Sequence, residues 1–221
     1  TWRQLSAGDE HTCAIHRDGT LWCWGDNVAG RVQPANPVGK ILTPSKVSTD
    51  SDWTWVASGE QAYAIRGGGL RRLDTINQEF ASAANSGAPW RDWVMVSAGM
   101  RHSCGVRANN TIWCWGANEY GQLGNGSTTA TTQPVQVSSN SVPTMGWSSV
   151  VVGNTFTCAT RLTGELYCWG NGFYLGAGED YADINSRPTL ISNDTQWASL
   201  EAGQEHMCAI KRGKTLWCWG N

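Results

Sequence analysis

The chain has 221 residues, 40% of them hydrophobic, and a formal net charge of -2. That length suits one larger all-β domain or two small ones, with enough apolar material for a real core. Near-neutral charge argues against a nucleic-acid or membrane-surface partner, since both need a dense basic face, and no apolar run is long enough to span a membrane.

No signal peptide is visible at Thr1; a mature, processed chain would look the same, so this does not argue against secretion. Trp (14) and Gly (26) are in excess, and such excess points to one structural position recurring in each repeat. The first copy starts at Trp2 and reads WRQLSAGDEHTCAIHRDGTLWCWGDN. QLSAG alternates apolar and polar and stops at Gly8; TCAIH and TLWCW alternate again. These are three short strands. With Cys13 opposite Cys23, His16 faces Thr20 and the loop is Arg17-Asp18-Gly19. That is the type I turn plus left-handed residue of three-residue hairpins. Pro44-Ser45-Lys46-Val47 reads as a fourth strand placed before the next copy, and Pro at its start suits an outer edge.

The second copy, from Trp53, is degraded: WTWVASGEQAYAIRGGGLRRLD. It carries a one-residue deletion, puts Tyr63 and Leu73 where cysteines stand elsewhere, lacks CWG, and turns at Gly67-Gly68-Gly69. The third, from Trp93, reads WVMVSAGMRHSCGVRANNTIWCWGAN, with Ala108-Asn109-Asn110 at its turn and only Pro89 ahead of it. Pro134-Val135-Gln136-Val137 precedes the fourth copy, WSSVVVGNTFTCATRLTGELYCWGNG from Trp147, which turns at Leu162-Thr163-Gly164. Pro188-Thr189-Leu190-Ile191 precedes the fifth, WASLEAGQEHMCAIKRGKTLWCWGN from Trp197, where Arg212-Gly213-Lys214 puts Gly one place early. The starting tryptophans lie 51, 40, 54 and 50 residues apart, in the range of propeller blades. The expected fold is all-β: a single β-propeller domain over 1–221, of four-stranded antiparallel blades.

The eight cysteines form four pairs: Cys13/Cys23, Cys104/Cys114, Cys158/Cys168 and Cys208/Cys218. In the hairpin register the members of each pair are directly opposed, within disulfide reach. Zinc is the rival reading, but the pairs fall on separate repeats, and both members are lost together in the degraded copy. Four disulfides imply an oxidising compartment, hence secretion or a cell surface. Three sequons agree, at Asn109, Asn125 and Asn193, although such tripeptides also arise by chance.

The strings GDEHTCAIHRDGTLWCWGDN and GMRHSCGVRANNTIWCWGANEYGQLGNG resemble repeats of the regulator of chromosome condensation family. They are most similar to its Cys-paired, secreted or cell-surface branch, found in bacterial exported proteins and plant Crinkly-type receptor ectodomains. The resemblance implies a β-propeller of four-stranded blades. Two departures stand out. Family propellers usually have seven blades, against five repeats here. The GQLG element survives only at Gly121 to Gly124, with a fragment at Tyr174-Leu175-Gly176. A five-bladed ring, an open arc and part of a longer protein all fit. The first copy has no Pro-x-x-Val strand ahead of it, which leaves an open edge able to take a strand from a neighbouring molecule and build filaments.

His11, His102 and His206 share one place, two residues before a Cys, and read as structural histidines rather than metal ligands. Asp9, Glu10 and Glu205 beside them read as a solvated turn, since Gln204 replaces Asp9 in the last copy. No H-E-x-x-H, G-x-S-x-G or phosphate loop is present, and no thiol is left over. Trp24, Trp115, Trp169 and Trp219 recur before Gly, so they read as packing between blades. Aromatics that do not recur are better binding candidates: Trp90, Tyr120, Phe173, Tyr174 and Tyr181, all in loops. Arg66, Arg71 and Arg72 form a basic cluster that could touch phosphate but reads as a solvated strand. The expectation is an extracellular, non-catalytic structural, adhesive or protein-binding module without cofactor or metal, partnered by a protein or by itself. A carbohydrate-binding lectin and a secreted protein inhibitor are the alternatives.

Overall fold

The computed structural model describes residues 1–27, 30, 32, 39–76, 78–79, 90–172 and 184–221. Packing divides the chain into two compact units, Thr1–Gly99 and Met100–Asn221. The fold is all-β, with five blades of β-propeller type. Among the described residues, three sheets have four strands and two have three.

In the first unit, β1 (Trp2–Ala7), β2 (His11–His16), β3 (Leu21–Asp26) and β4 (Lys40–Lys46) form one antiparallel sheet in chain order. A second sheet holds β5 (Trp53–Ser58), β6 (Ala62–Arg66) and β7 (Gly69–Arg72), followed by a 3-10 turn at Leu73–Thr75. β8 (Trp93–Ala98) starts the third repeat and packs on β5, where the Trp55 indole N–H donates to the Val96 carbonyl at 2.7 Å. The second unit continues with β9 (His102–Arg107), β10 (Ile112–Gly116) and β11 (Thr131–Gln136). The fourth blade is β12 (Trp147–Val152), β13 (Phe156–Arg161), β14 (Leu166–Asn171) and β15 (Ile184–Ser192). The fifth is β16 (Trp197–Ala202), β17 (His206–Lys211) and β18 (Leu216–Gly220).

The Pro-bearing strands are placed differently from the sequence expectation. β4 pairs with β3, through Trp22 opposite Lys46 and Asp26 opposite Lys40, and β15 pairs with β14 in the same way. Each therefore closes the blade that precedes it and does not open the next. The cause is connectivity: the chain folds back antiparallel on the CWG strand, then only the short stretch after Lys46 crosses to Trp53. The first blade is consequently complete. The third-strand edges without a full fourth strand among the described residues are β7, which has only the isolated bridge from Arg71 to Glu79, and β18. Pro89 lies outside the described residues.

Hairpin registers follow the cysteines. Cys13 sits opposite Cys23, Cys104 opposite Cys114, Cys158 opposite Cys168 and Cys208 opposite Cys218. All four pairs are disulfides, with Cα atoms 4.1 Å apart. The degraded hairpin turns on two residues, not three. Arg66 pairs with Gly69, and Gly67 and Gly68 both have positive φ (54° and 73°), as a type I′ turn requires. The shorter turn shifts the register by one, so Arg72, not Leu73, stands opposite Tyr63.

The glycine of CWG is a bulge residue. The register slips beside Gly25, Gly116 and Gly170, and their φ values are 114°, 114° and 107°. A Cβ on Gly170 would lie 2.4 Å from the Thr155 carbonyl oxygen, so side chain and backbone could not both fit. In the fifth hairpin the early Gly213 does not move the turn. Lys214 takes the left-handed place instead, at φ 61°. An L-residue there is strained, whereas Gly is not, though Gly loses more entropy on folding. Lys214→Gly is expected to stabilise the fifth blade by about 0.5–1 kcal/mol, read as a higher urea midpoint at unchanged m. An unchanged or lower midpoint would show that the strain is absent.

Candidate functional site

The seams between consecutive blades carry the recurring residues. In the first unit, Cys13, Ile15, Leu21 and Cys23 pack on Trp53, Val56, Ala62 and Ala64 of the next blade. Polar groups clasp the same seam. The Gln4 amide donates to the Val56 carbonyl at 3.0 Å and accepts from the Val56 N–H at 3.1 Å, and Ser6 Oγ accepts from the Ser58 N–H at 2.8 Å. Hairpin tips add a backbone tie. The Trp53, Trp93 and Trp147 N–H groups donate to the carbonyls of Gly19, Gly68 and Asn110, at 3.1, 3.0 and 3.0 Å.

In the second unit the GQLG element is the centre of a buried network joining the third and fourth blades. The Gln122 carbonyl accepts from the Trp169 indole N–H at 2.9 Å and from the Thr157 hydroxyl at 2.8 Å. With its proton so used, Thr157 Oγ1 accepts from His102 Nε2, 2.7 Å away, which fixes the proton on that ring nitrogen. Gly124, at φ 68°, lies against Trp169: a Cβ there would come 2.5 Å from the indole nitrogen. Asn118 Oδ1 accepts from the Leu123 N–H, and its amide donates to the Ser127 and Thr129 carbonyls, which shapes the loop.

His102 is buried, and desolvation pushes its pKa from 6.5 down to about 3. The folded value lies below the unfolded one, so between them the unfolded state binds more protons. His102 therefore contributes stability that is complete above pH 6.5 and is lost as pH falls toward 3. Going from pH 7 to pH 5 is expected to cost the second unit about 2 kcal/mol through this group. Gln61 holds the place of these histidines in the second copy, its carbonyl accepting from the Gly59 N–H as that of His11 does from Gly8, so His102→Gln should flatten that part of the pH dependence of urea unfolding. Equal slopes for both proteins would refute the assignment.

The other histidines differ from it. His11 is buried, while His206 is exposed. His16 accepts from the Thr1 ammonium at 2.9 Å and lies 3.1 Å from Asp18. The turn acids Asp9 and Glu10 are exposed and Glu205 half-buried. Trp115 and Trp169 are buried, and Trp24 and Trp219 half-buried, as packing residues should be. Of the loop aromatics, Trp90 rests on Trp93 with ring centroids 5.7 Å apart. Tyr120 is half-buried, its N–H donating to Gln122 Oε1 at 2.9 Å. Phe173, Tyr174 and Tyr181, with Leu175 and Gly176, lie outside the described residues. The arginine cluster is held by acids of the same chain: Arg66 by Asp50 and Asp52, Arg71 by Glu79, and Arg72 by Asp74.

Asn109 and Asn193 are exposed and Asn125 half-buried. Asn109 also shapes its turn: its Oδ1 accepts from the Thr111 hydroxyl at 2.7 Å, and Thr111 Oγ1 accepts from the Trp113 indole N–H at 2.9 Å. Asp18, Thr20 and Trp22 repeat that arrangement in the first blade. One recurring pair went unread in the sequence. The first-strand Trp stands opposite a His or a cation at the hairpin end: Trp2 with His16, Trp53 with Arg66, Trp147 with Arg161, Trp197 with Lys211. Arg161 lies 4.7 Å over the Trp147 ring and Lys211 4.8 Å over Trp197. The repeat alignment contained the signal, a basic residue just before each turn. Among the described residues no cluster of three or more His, Cys, Asp or Glu could hold a metal, and no helix is long and apolar enough to cross a membrane.

The family profile described as "Regulator of chromosome condensation (RCC1) repeat" matches residues 2–31, 93–122 and 147–174, and a second profile so described matches 109–160. The mouse protein named Regulator of chromosome condensation is 28% identical over 222 residues, which cover 86% of this chain and 52% of that protein. This chain thus spans about half the length of the curated relatives it matches. Among solved structures, Prp20p from Saccharomyces cerevisiae has a TM-score of 0.78 at 19% identity, covering 100% of this chain and 58% of that one. The Physcomitrella patens receptor kinase CR4 ectodomain has a TM-score of 0.60 at 21% identity, covering 98% and 51%. Repeats, blades and seams agree with these matches: the chain belongs to the RCC1 repeat family.

Proposed function

We propose that this RCC1-type propeller works outside the cell as a non-catalytic protein-binding module. The observation that carries the location is the set of four disulfides, one stapling each of four hairpins, with no free cysteine beside them. Such bridges persist in oxidising compartments and are rare where thiols are kept reduced. The exposed Asn109 and Asn193 would then be open to glycosylation. Binding is supported by kinship. The Prp20p structure is described with binding to Gsp1p and histones, and the CR4 structure is a receptor ectodomain. The buried residues serve the scaffold, which leaves loops and blade faces to hold a partner, with self-association as one form of that binding.

The test is alkylation of the protein straight from its source, before any denaturant, followed by intact mass. The expected product carries no alkyl group and is lighter by the eight hydrogens of four disulfides. Alkylation of all eight cysteines would place the chain in a reducing compartment and remove the proposal's ground.

A further inference from the structure

Leu162 and Met145 are 64% and 58% exposed. The scaffold does not require an apolar side chain at either place. Leu162 opens the hairpin turn of the fourth blade, where Arg17, Ala108 and Arg212 stand in other blades. Met145 stands two residues ahead of the first-strand Trp, a place held elsewhere by Ser51, Arg91 and Thr195. The two are neighbours. The Leu162 N–H donates at 2.8 Å to the carbonyl of Gly146, which follows Met145, and Arg161 Nη1 donates at 2.9 Å to the carbonyl of the exposed Pro143. Strands of the blades on either side, β9 and β16, both pack on β12, so no uncovered seam accounts for the patch. A lone apolar side chain on a surface needs no explanation, but an adjoining pair at two otherwise polar places points to a cover.

Sequons flank this patch on both sides. On one side the Trp147 N–H, next after Gly146, donates to the Asn110 carbonyl at 3.0 Å, which sets Asn109 beside the patch. On the other side Gly164 packs on Thr195, the hydroxyl residue of the sequon at Asn193. A Cβ on Gly164 would lie 2.6 Å from the Thr195 carbonyl oxygen. Asn109 and Asn193 are both exposed. Asn109 Oδ1 accepts from the Thr111 N–H at 3.3 Å and from its hydroxyl at 2.7 Å. Among the described residues, nothing bonds the Asn109 amide nitrogen or the Asn193 side chain.

We propose that Asn109 and Asn193 carry N-linked glycans whose first sugars lie over Leu162 and Met145. This rests on the reading of the chain as an extracellular protein and names the cover of one of its surfaces. Each Nδ2 forms a bond to C1 of the first sugar of an oligosaccharide held on a lipid diphosphate. The bond from C1 to the diphosphate oxygen breaks, the lipid diphosphate leaves with its electron pair, and the amide gives up one proton. Sugar suits this patch for two reasons. An N-acetylated sugar lays C–H groups and a methyl on the apolar side chains while its hydroxyls stay in water. It is also tethered a few residues away, so the contact avoids the loss of free translation that a separate partner would bear.

The test uses the whole chain purified from its source, with peptide mass spectrometry and a dye, anilinonaphthalene sulfonate, that reports exposed apolar surface. The peptides containing Asn109 and Asn193 are expected to carry sugar. Enzymatic removal of the sugar from the folded protein should raise dye fluorescence severalfold. The double variant Met145→Ser, Leu162→Ser, made in the same cells, should show no such rise, with far-UV circular dichroism checking its fold. Sugar missing from either asparagine, no rise on its removal, or an equal rise in the double variant would each overturn the inference. Bare asparagines in a protein whose cysteines all resist alkylation would end it yet leave the extracellular module standing. Cysteines open to alkylation would remove the ground of both.

Discussion

Trp169→Ala is expected to lower the unfolding free energy of the second unit by about 3–5 kcal/mol, the usual cost of emptying a buried aromatic site. The indole is completely buried, packs against the Trp147 ring at 6.0 Å, and donates to the Gln122 carbonyl. Alanine removes all three contributions, and the rigid bulges on either side restrict collapse into the space. A domain is stable by about 5–15 kcal/mol in total, so a loss of this size brings much of the margin into question. Trp169→Phe separates the causes. It keeps most of the ring but no donor, and Gln122 still accepts from Thr157, so no buried carbonyl is orphaned. The expected cost is then about 1–2 kcal/mol. Urea unfolding followed by far-UV circular dichroism reads both. A loss below 1 kcal/mol for the alanine variant would mean that the GQLG network does not hold the third and fourth blades together.

Removing one disulfide is the next largest effect. The double substitution Cys158→Ala, Cys168→Ala is expected to cost about 3 kcal/mol, because an opened ring of this size frees the unfolded chain. All four bridges span the same separation of 10 residues, so their entropic contributions are equal. Their surroundings differ. Cys158 and Cys168 are buried, whereas Cys208 is half-buried and Cys218 exposed. The equivalent change at Cys208 and Cys218 should therefore cost less, and the difference measures packing around sulfur alone. A larger loss in the fifth blade than in the fourth would contradict this account.

What was legible in the sequence is what recurs. The place of Trp53 is held by Trp in all five repeats, and those of Cys158 and Gly170 by Cys and Gly in four of them, so their spacing exposed the repeat, the hairpin register and the disulfides. The pairing of the Pro-bearing strands was misread because position along the chain does not say which neighbour a strand bonds. Ser45 is nearer in sequence to Trp53 than to Cys23 only by accident of the loop between, yet the register puts it opposite Cys23. That error left the first blade short of a strand, which β4 supplies. The turn at Gly67-Gly68 was taken as three residues because one deletion was counted, whereas the copy has lost two residues, one between Ser58 and Ala62 and one at this turn. Gln122 was hidden for another reason: its main function is performed by a backbone carbonyl, which every residue has. Trp90 and Tyr120 were chosen as binding residues for not recurring, but rarity reveals nothing about burial, and both are partly packed into the scaffold.

The shortness of the disulfide loops also governs how the protein can be made. Eight cysteines allow roughly a hundred complete pairings, most of them wrong. Here each correct partner is the next cysteine along the chain, carried to it by a turn of a few residues. Hairpins close within microseconds to tens of microseconds, long before another repeat has been synthesised. Each bridge can therefore form as soon as its own hairpin has emerged, in order from the amino terminus. Oxidation then proceeds as four independent local events, and a repeat already sealed has no thiol left to trap the one that follows.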